Sequence, residues 1–220
     1  MLTGLCILLM LAVGYAHLRD GVFTALCMLV NVVLAGLMAF WLFEPFADWL
    51  DGVFQNGFWS GYEDFIALTL LFAGAVILLR TVTNRIAPDM LNFPGNLQYI
   101  AAGIGIVTGY FLVGFLLCAL QTLPWHERFL EFQPRVSNDT GPRSIFPPDR
   151  VWLAMMRYAG AHSLAWTEDN PGVDDPYERY HTFDRYGTFE LRYLRYRRFS
   201  DSGERRTYNK ELERETYRSP

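Results

Sequence analysis

Positive charge is almost missing from the first half of this chain. Through residue 123 there is no lysine, and the only arginines are Arg19, Arg80 and Arg85. No Asp, Glu, Lys or Arg falls at the centre of any long apolar run. Proton relays and ion-coupled carriers place such groups at mid-membrane, so these runs are not expected to do that chemistry. Cysteine is scarce as well. Cys6, Cys27 and Cys118 each lie in an apolar run, where a free thiol behaves as a small hydrophobe. They form neither a disulfide framework nor a zinc spacing. There is no His-Glu-x-x-His helix for an intramembrane metalloprotease and no Walker A loop. Gly103-Ile104-Gly105 lacks the third glycine of a dinucleotide fingerprint. No catalytic residue, cofactor or metal site is expected.

What the chain does have is apolar length. Of its 220 residues 51% are hydrophobic, and the net charge is -4. That charge comes from the first half, because beyond residue 123 sixteen Lys or Arg meet sixteen Asp or Glu. A lipid compartment followed by an aqueous one is the natural reading. The balanced tail argues against a nucleic-acid partner.

Residues 2–18 form the first apolar run. Gly14-Tyr15-Ala16 would be a weak signal-peptide cleavage site, but no positive charge precedes the run and Arg19 follows it. An uncleaved span is the better reading. Residues 17–21 are a short connection to a second run, 22–43, so an antiparallel hairpin is expected. Asn31 lies mid-span there, and its amide needs a partner on another helix.

Residues 44–64 carry Glu44, Asp48, Asp51, Glu63 and Asp64 with no positive charge. Within them Phe46, Trp49, Leu50, Val53 and Phe54 recur at helical spacing, with Asp48, Asp51 and Gln55 opposite. Pro45 suits a helix start. This predicts a separate amphipathic helix lying in the interface, then an aromatic belt of Phe58, Trp59 and Tyr62. The acids are scattered over a helix face rather than set at metal-loop spacing.

A third run, 65–79, has only 15 residues and spans if Tyr62 and Arg80 reach to the interfaces. Pro88, Pro94 and Gly95 then break any helix. The fourth run, 97–123, has 27 residues and no charge. Ala101, Gly105 and Gly109 stand four apart in it and line one face, where another helix can approach closely.

Four spans put Arg19, Arg80 and Arg85 on one side and the acidic loop with both termini on the other. The positive-inside rule assigns the arginine side to the cytoplasm, which makes both termini periplasmic in a diderm bacterium.

The tail, residues 126–220, opens with a Pro/Gly/Ser/Asn-rich linker at 133–148. Asp149 would cap a helix over about 150–166, with Val151, Trp152, Met155, Met156 and Ala159 as its apolar side. Residues 167–181 read as an acidic loop. Alternation over 188–199 favours a strand, with Asp201-Ser202-Gly203 as a turn and 205–209 returning in a hairpin. Arg192, Arg195, Arg197 and Arg198 there offer a surface to a partner. The last ten residues read as exposed or disordered. His162-Ser163 near Glu168 has no nucleophile elbow around it and is not expected to be catalytic. The fold class is thus an all-α membrane domain of four spans plus an interfacial helix over 1–125, with a small α+β or partly disordered tail.

The first 125 or so residues resemble the CvpA family, the colicin V production proteins of bacterial inner membranes. The resemblance rests on the first hairpin with Arg19 and Gly21 in its turn and on the amphipathic segment before the third run. It rests also on the basic loop and the final run with Ala101, Gly105 and Gly109. Ala101 stands where the family favours glycine, Asp20 where it favours a basic residue, and Leu97 and Gln98 replace an acidic-basic pair. The resemblance implies a non-enzymatic inner-membrane protein linked to toxin production or export and to envelope homeostasis.

Three classes of function are therefore carried forward. The first is a protein that assembles with itself or other envelope membrane proteins through the Gly face and the tail. The second is a subunit of an oligomeric channel or transporter, with Asn31, Thr69 and Thr108 lining a path. The third is an enzymatic or ligand-binding tail on a membrane anchor.

Overall fold

The computed structural model describes residues 2–18, 21–54, 61–86, 97–123, 147–165, 168, 170–180, 182–184 and 189. Among the described residues six helices are bounded in order: α1 Leu2–His17, α2 Val22–Phe54, α3 Glu63–Ile86, α4 Leu97–Gln121, α5 Pro148–Ala161 and α6 Pro176–Arg179. Among the described residues there is no strand, only an isolated antiparallel bridge between Glu168 and Tyr180. The expected hairpin of 188–209 lies outside the described residues except for Phe189, which is buried.

Three helices are long and apolar enough to cross a membrane, over Val22–Val53, Glu63–Ile86 and Gln98–Gln121. Helix α1 is apolar but has 16 residues, about 24 Å. Large apolar side chains point outward along all four, among them Leu8 and Leu11 on α1 and Met38 on α2. Ile77 and Leu78 on α3 and Ile100 and Val107 on α4 do the same. This surface suits lipid rather than water.

The helices pack in the lateral order α3, α2, α4, α1, with α5 laid against α4. The first two helices therefore do not pack as a hairpin. The main contact of α1 is α4, along which it runs antiparallel, with Met10 at Gly109 and His17 at Gly105, and the glycines of α4 admit a close approach. One buried core runs through the rest, from Val32, Phe40 and Phe43 on α2 and Leu68 and Phe72 on α3 to Phe115 on α4 and Trp152 on α5.

Helix α2 departs most from expectation. No separate interfacial helix starts at Pro45; α2 is continuous for 33 residues, about 50 Å, with Pro45 inside it. An internal proline removes one helical hydrogen bond and costs about 3 kcal/mol. Burial of Ala47 and Leu50 in the core that holds Ala67 and Leu68 offsets that loss. The side that packs on the protein is distinct from the expected membrane-facing side. Phe43, Ala47 and Leu50 point inward, while Trp49 and Val53 are 60% and 59% exposed. Phe46 stacks on Trp49 at 5.6 Å.

Three smaller differences follow from local chemistry. Helix α3 continues past Arg80 to Ile86, and within it Thr81 and Thr83 donate to the carbonyls of Ile77 and Leu79. Asp149 does not cap α5: Pro147 stands at the N-cap, Pro148 begins the helix and Asp149 sits in the first turn. The expected 167–181 loop contains the short α6, where Pro176 opens the turn and the Asp175 carboxylate accepts from the Tyr177 N–H.

Candidate functional site

The Ala101, Gly105 and Gly109 face of α4 is filled by α1 of the same chain. Ala101 is fully buried. A Cβ on Gly105 would lie 2.9 Å from the His17 Cβ and 3.0 Å from the Gly14 Cα. A Cβ on Gly109 would lie 2.8 Å from the Met10 Cα. Backbone meets backbone along this seam, and only glycine permits that. His17 is buried beside it, and its Nδ1–H tautomer donates to the Val13 carbonyl at 2.8 Å. The seam is therefore internal, and a second copy cannot use it while α1 is in place.

Asn31 of α2 is buried, and its amide donates to Thr83 Oγ1 of α3 at 3.2 Å. Thr108 is buried and donates to the Ile104 carbonyl of its own helix at 2.9 Å. Thr69 is half-buried on α3. Asn31 and Thr108 thus bond to different partners. Arg80 and Arg85 are exposed and lie on the last two turns of α3 rather than in a loop. Arg19, Arg192, Arg195, Arg197 and Arg198 lie outside the described residues.

The densest site is the junction of α2, α4 and α5, which the sequence reading did not assemble. Trp152 of α5 lies over Gly36 of α2 so closely that a Cβ there would overlap the indole Cζ2 and Cη2. Its ring is surrounded by Phe40, Phe111 and Phe115 at 6.4, 5.9 and 6.1 Å between centroids. Phe183 and Phe189 close the cluster on Phe40 at 5.1 and 6.0 Å. Gly114 of α4 does for the Pro148 carbonyl what Gly36 does for the indole, since a Cβ on it would overlap that oxygen. Two glycines thus form sockets for the first turn of α5.

Polar groups complete the junction. Gln121 is 2% exposed, and its Nε2 donates to Asp149 Oδ2 at 2.9 Å. The Cys118 thiol donates to the Asp149 carbonyl at 3.6 Å. Among the described residues, Gln121 Oε1 and Trp152 Nε1 are buried without a hydrogen-bond partner. An unmet buried polar group costs about 1–3 kcal/mol, so aromatic packing has to hold this arrangement together.

Among the described residues, the His162, Ser163 and Glu168 set is not brought together. His162 is stacked on Tyr158 at 4.4 Å with Tyr177 at its edge, 5.6 Å away. Glu168 is taken by Arg179 at 2.8 Å, and this hydrogen bond pushes the exposed guanidinium further above its usual range. The hydrolase arrangement of His162, Ser163 and Glu168 is not formed. Among the described residues no group of His, Cys, Asp and Glu could hold a metal ion.

The family model for colicin V production protein matches residues 2–133. This chain belongs to the colicin V production protein family. With its apolar helices, that makes it a multi-pass membrane protein. Neither the curated proteins nor the solved structures compared with it include a match. The match takes in α1 to α4 and ends before α5. The colicin V production segment thus supplies Gly36, Gly114, Cys118 and Gln121, while Asp149 and Trp152 come from beyond it. Sequence carried one signal for this junction, the placement of Trp152 on the apolar side of a helix. Gly36 and Gly114, each inside an apolar run, gave no sign of which helix they would receive.

Proposed function

We propose that this colicin V production family member is a non-enzymatic, four-span protein of the bacterial inner membrane. It acts in toxin production or export, or in envelope homeostasis, through helix-helix contacts and contacts of its tail with a partner. The observation that carries this reading is the seating of Trp152 over Gly36. Through it a tail helix is built into the span packing, so a partner held by the tail is mechanically joined to the bundle. The lack of a formed His162 arrangement favours a contact role over a hydrolytic one.

The fourth span in this reading is α1. Its close packing along α4 and its exposed Leu5, Ile7, Leu8 and Leu11 support a place in lipid. The arginine end of α3 then faces the cytoplasm, and both termini face the periplasm. The lipid bilayer is the immediate partner, with a second copy or another envelope membrane protein beyond it.

The test is genetic and biochemical together. Cells deleted for the gene should lose export of a co-expressed peptide toxin or survival under detergent stress, and the wild-type gene should restore it. A Gly36→Leu gene should not restore it, although its product reaches the membrane. Deletion cells indistinguishable from wild type in both assays would refute the reading. For topology, Ser202→Cys in intact cells should react with a membrane-impermeant maleimide, and protection would place the tail inside.

A further inference from the structure

The helix α5 follows the four apolar helices and a polar stretch, and by sequence it belongs to the aqueous tail. Its depth says otherwise. On α2 the residues from Phe23 to Phe43 carry no charge, and they cover about 31 Å, the thickness of a bilayer's hydrocarbon core. Gly36 lies eight residues before Glu44, the first charge, which is about 12 Å inside that end. On α4, Gly114 lies seven residues before Gln121, about 10 Å inside the helix end. The two helices meet at one level here, since Phe40 packs on Phe115 at 5.7 Å. The indole of Trp152 and the main chain of Pro148 rest on these two glycines, so the first turn of α5 sits at the depth of hydrocarbon.

The faces of α5 agree with that depth. Trp152, Leu153 and Met156 are buried in the bundle. Val151, Ala154, Met155 and Tyr158 recur at helical spacing on another side, and Ala154 and Tyr158 are exposed there. Arg150 and Arg157 share a third side, seven residues apart, and the Arg157 guanidinium lies 4.6 Å over the Tyr177 ring. The last turns of α2, at the same end of the bundle, have the same three-sided plan. Ala47 and Leu50 are buried, Leu42, Trp49 and Val53 are apolar and exposed, and Glu44, Asp48 and Asp51 form a charged side. The outward apolar surface of α2, with Met38, Trp41 and Leu42, already belongs to lipid.

We infer that α5 is an in-plane membrane helix. The Val151, Ala154, Met155 and Tyr158 stripe contacts acyl chains of one leaflet. The membrane part of the protein therefore does not end with α4.

The test uses the full chain in vesicles of phosphatidylethanolamine and phosphatidylglycerol. Ala154→Cys and Tyr158→Cys change exposed side chains, and Asp174→Cys, exposed beyond α5, is the aqueous control. Each is given a nitroxide label before reconstitution, and the signal of the labelled parent chain is subtracted. A water-soluble nickel chelate is equilibrated across the vesicles by freeze-thaw. At positions 154 and 158 collisions with oxygen should exceed those with the chelate by about tenfold, and at position 174 the order should reverse. A charged maleimide should likewise react at least tenfold more slowly with unlabelled Ala154→Cys than with Asp174→Cys. Elution like that of the parent chain establishes that each variant is folded. Chelate collisions at 154 and 158, and a maleimide rate at 154, equal to those at 174 would overturn the inference. They would leave the four spans and the proposed export role untouched.

Discussion

Gly36 and Trp152 compete for one volume: the indole of α5 occupies the space that any side chain at that point of α2 would need. A helix from beyond the family segment is thereby keyed into a gap on the membrane bundle. Gly36→Leu should unseat α5, and Trp152→Ala should remove the key from the other side. Loss of a buried aromatic costs about 3–5 kcal/mol, and each single variant should lose an amount of that order. The double variant should lose little more than either alone. Equilibrium unfolding in mixed micelles measures all three, and additive losses would mean that the two residues do not act on each other.

The α1–α4 seam makes a prediction about which contact breaks. Gly109→Leu pushes on the Met10 backbone, which cannot rotate away as a side chain can. Overpacking of this kind costs about 1–3 kcal/mol or more. The variant should lose crosslinking between cysteines placed at Val13 and Ile106 within one chain, while crosslinking between chains is unchanged. Loss of the interchain product alone would show that the seam lies between copies.

The Gln121–Asp149 pair predicts an asymmetry. Asp149→Asn keeps an oxygen to accept from Gln121 Nε2 and adds an N–H that can satisfy the buried Oε1. Stability should be unchanged or should rise by up to about 1 kcal/mol. Gln121→Leu removes the carboxylate's donor and should cost about 1–3 kcal/mol. Thermal unfolding of the two variants side by side tests the order, and a larger loss for Asp149→Asn would contradict it.

Asn31 and Thr83 form a modest interhelical bond. Thr83 can still donate to the Leu79 carbonyl when Asn31 is gone. The coupling energy from Asn31→Leu, Thr83→Val and the double variant should therefore be about 0.6 kcal/mol, the usual size of such bonds in membranes. A coupling near zero would mean that the two groups find other partners.

Much of the membrane part was legible in the chain because lipid writes a long and simple signal. The apolar runs became α1 to α4, and the start of α4 at Leu97 was read correctly. Misreadings came where a local rule met tertiary packing. Proline at 45 suggested a helix start, but Ala47 and Leu50 had a core to enter and the helix ran on. The apolar side with Trp49 and Val53 does face outward, as a membrane-facing side would, but period alone did not show that Ala47 and Leu50 enter a protein core beside it. A short loop suggested that α1 and α2 pair, while the glycines of α4 offered α1 a closer neighbour. The α5 socket was the least legible feature, because a glycine is read as packing only once the partner that fills it is known.

The unbroken run of α2 across Pro45 ties the protein to the thickness of its membrane. A rod of about 50 Å is longer than the hydrocarbon core it crosses, so it must tilt, bend or lay its end along the surface. Pro45 marks the place where bending costs least, because one backbone bond is already missing there. On one side of that joint Phe40 and Phe43 hold α5, and on the other Ala47 and Leu50 share the core with α3. A thinner or thicker bilayer would therefore change the angle between these two sets of contacts, and the tail helix would follow.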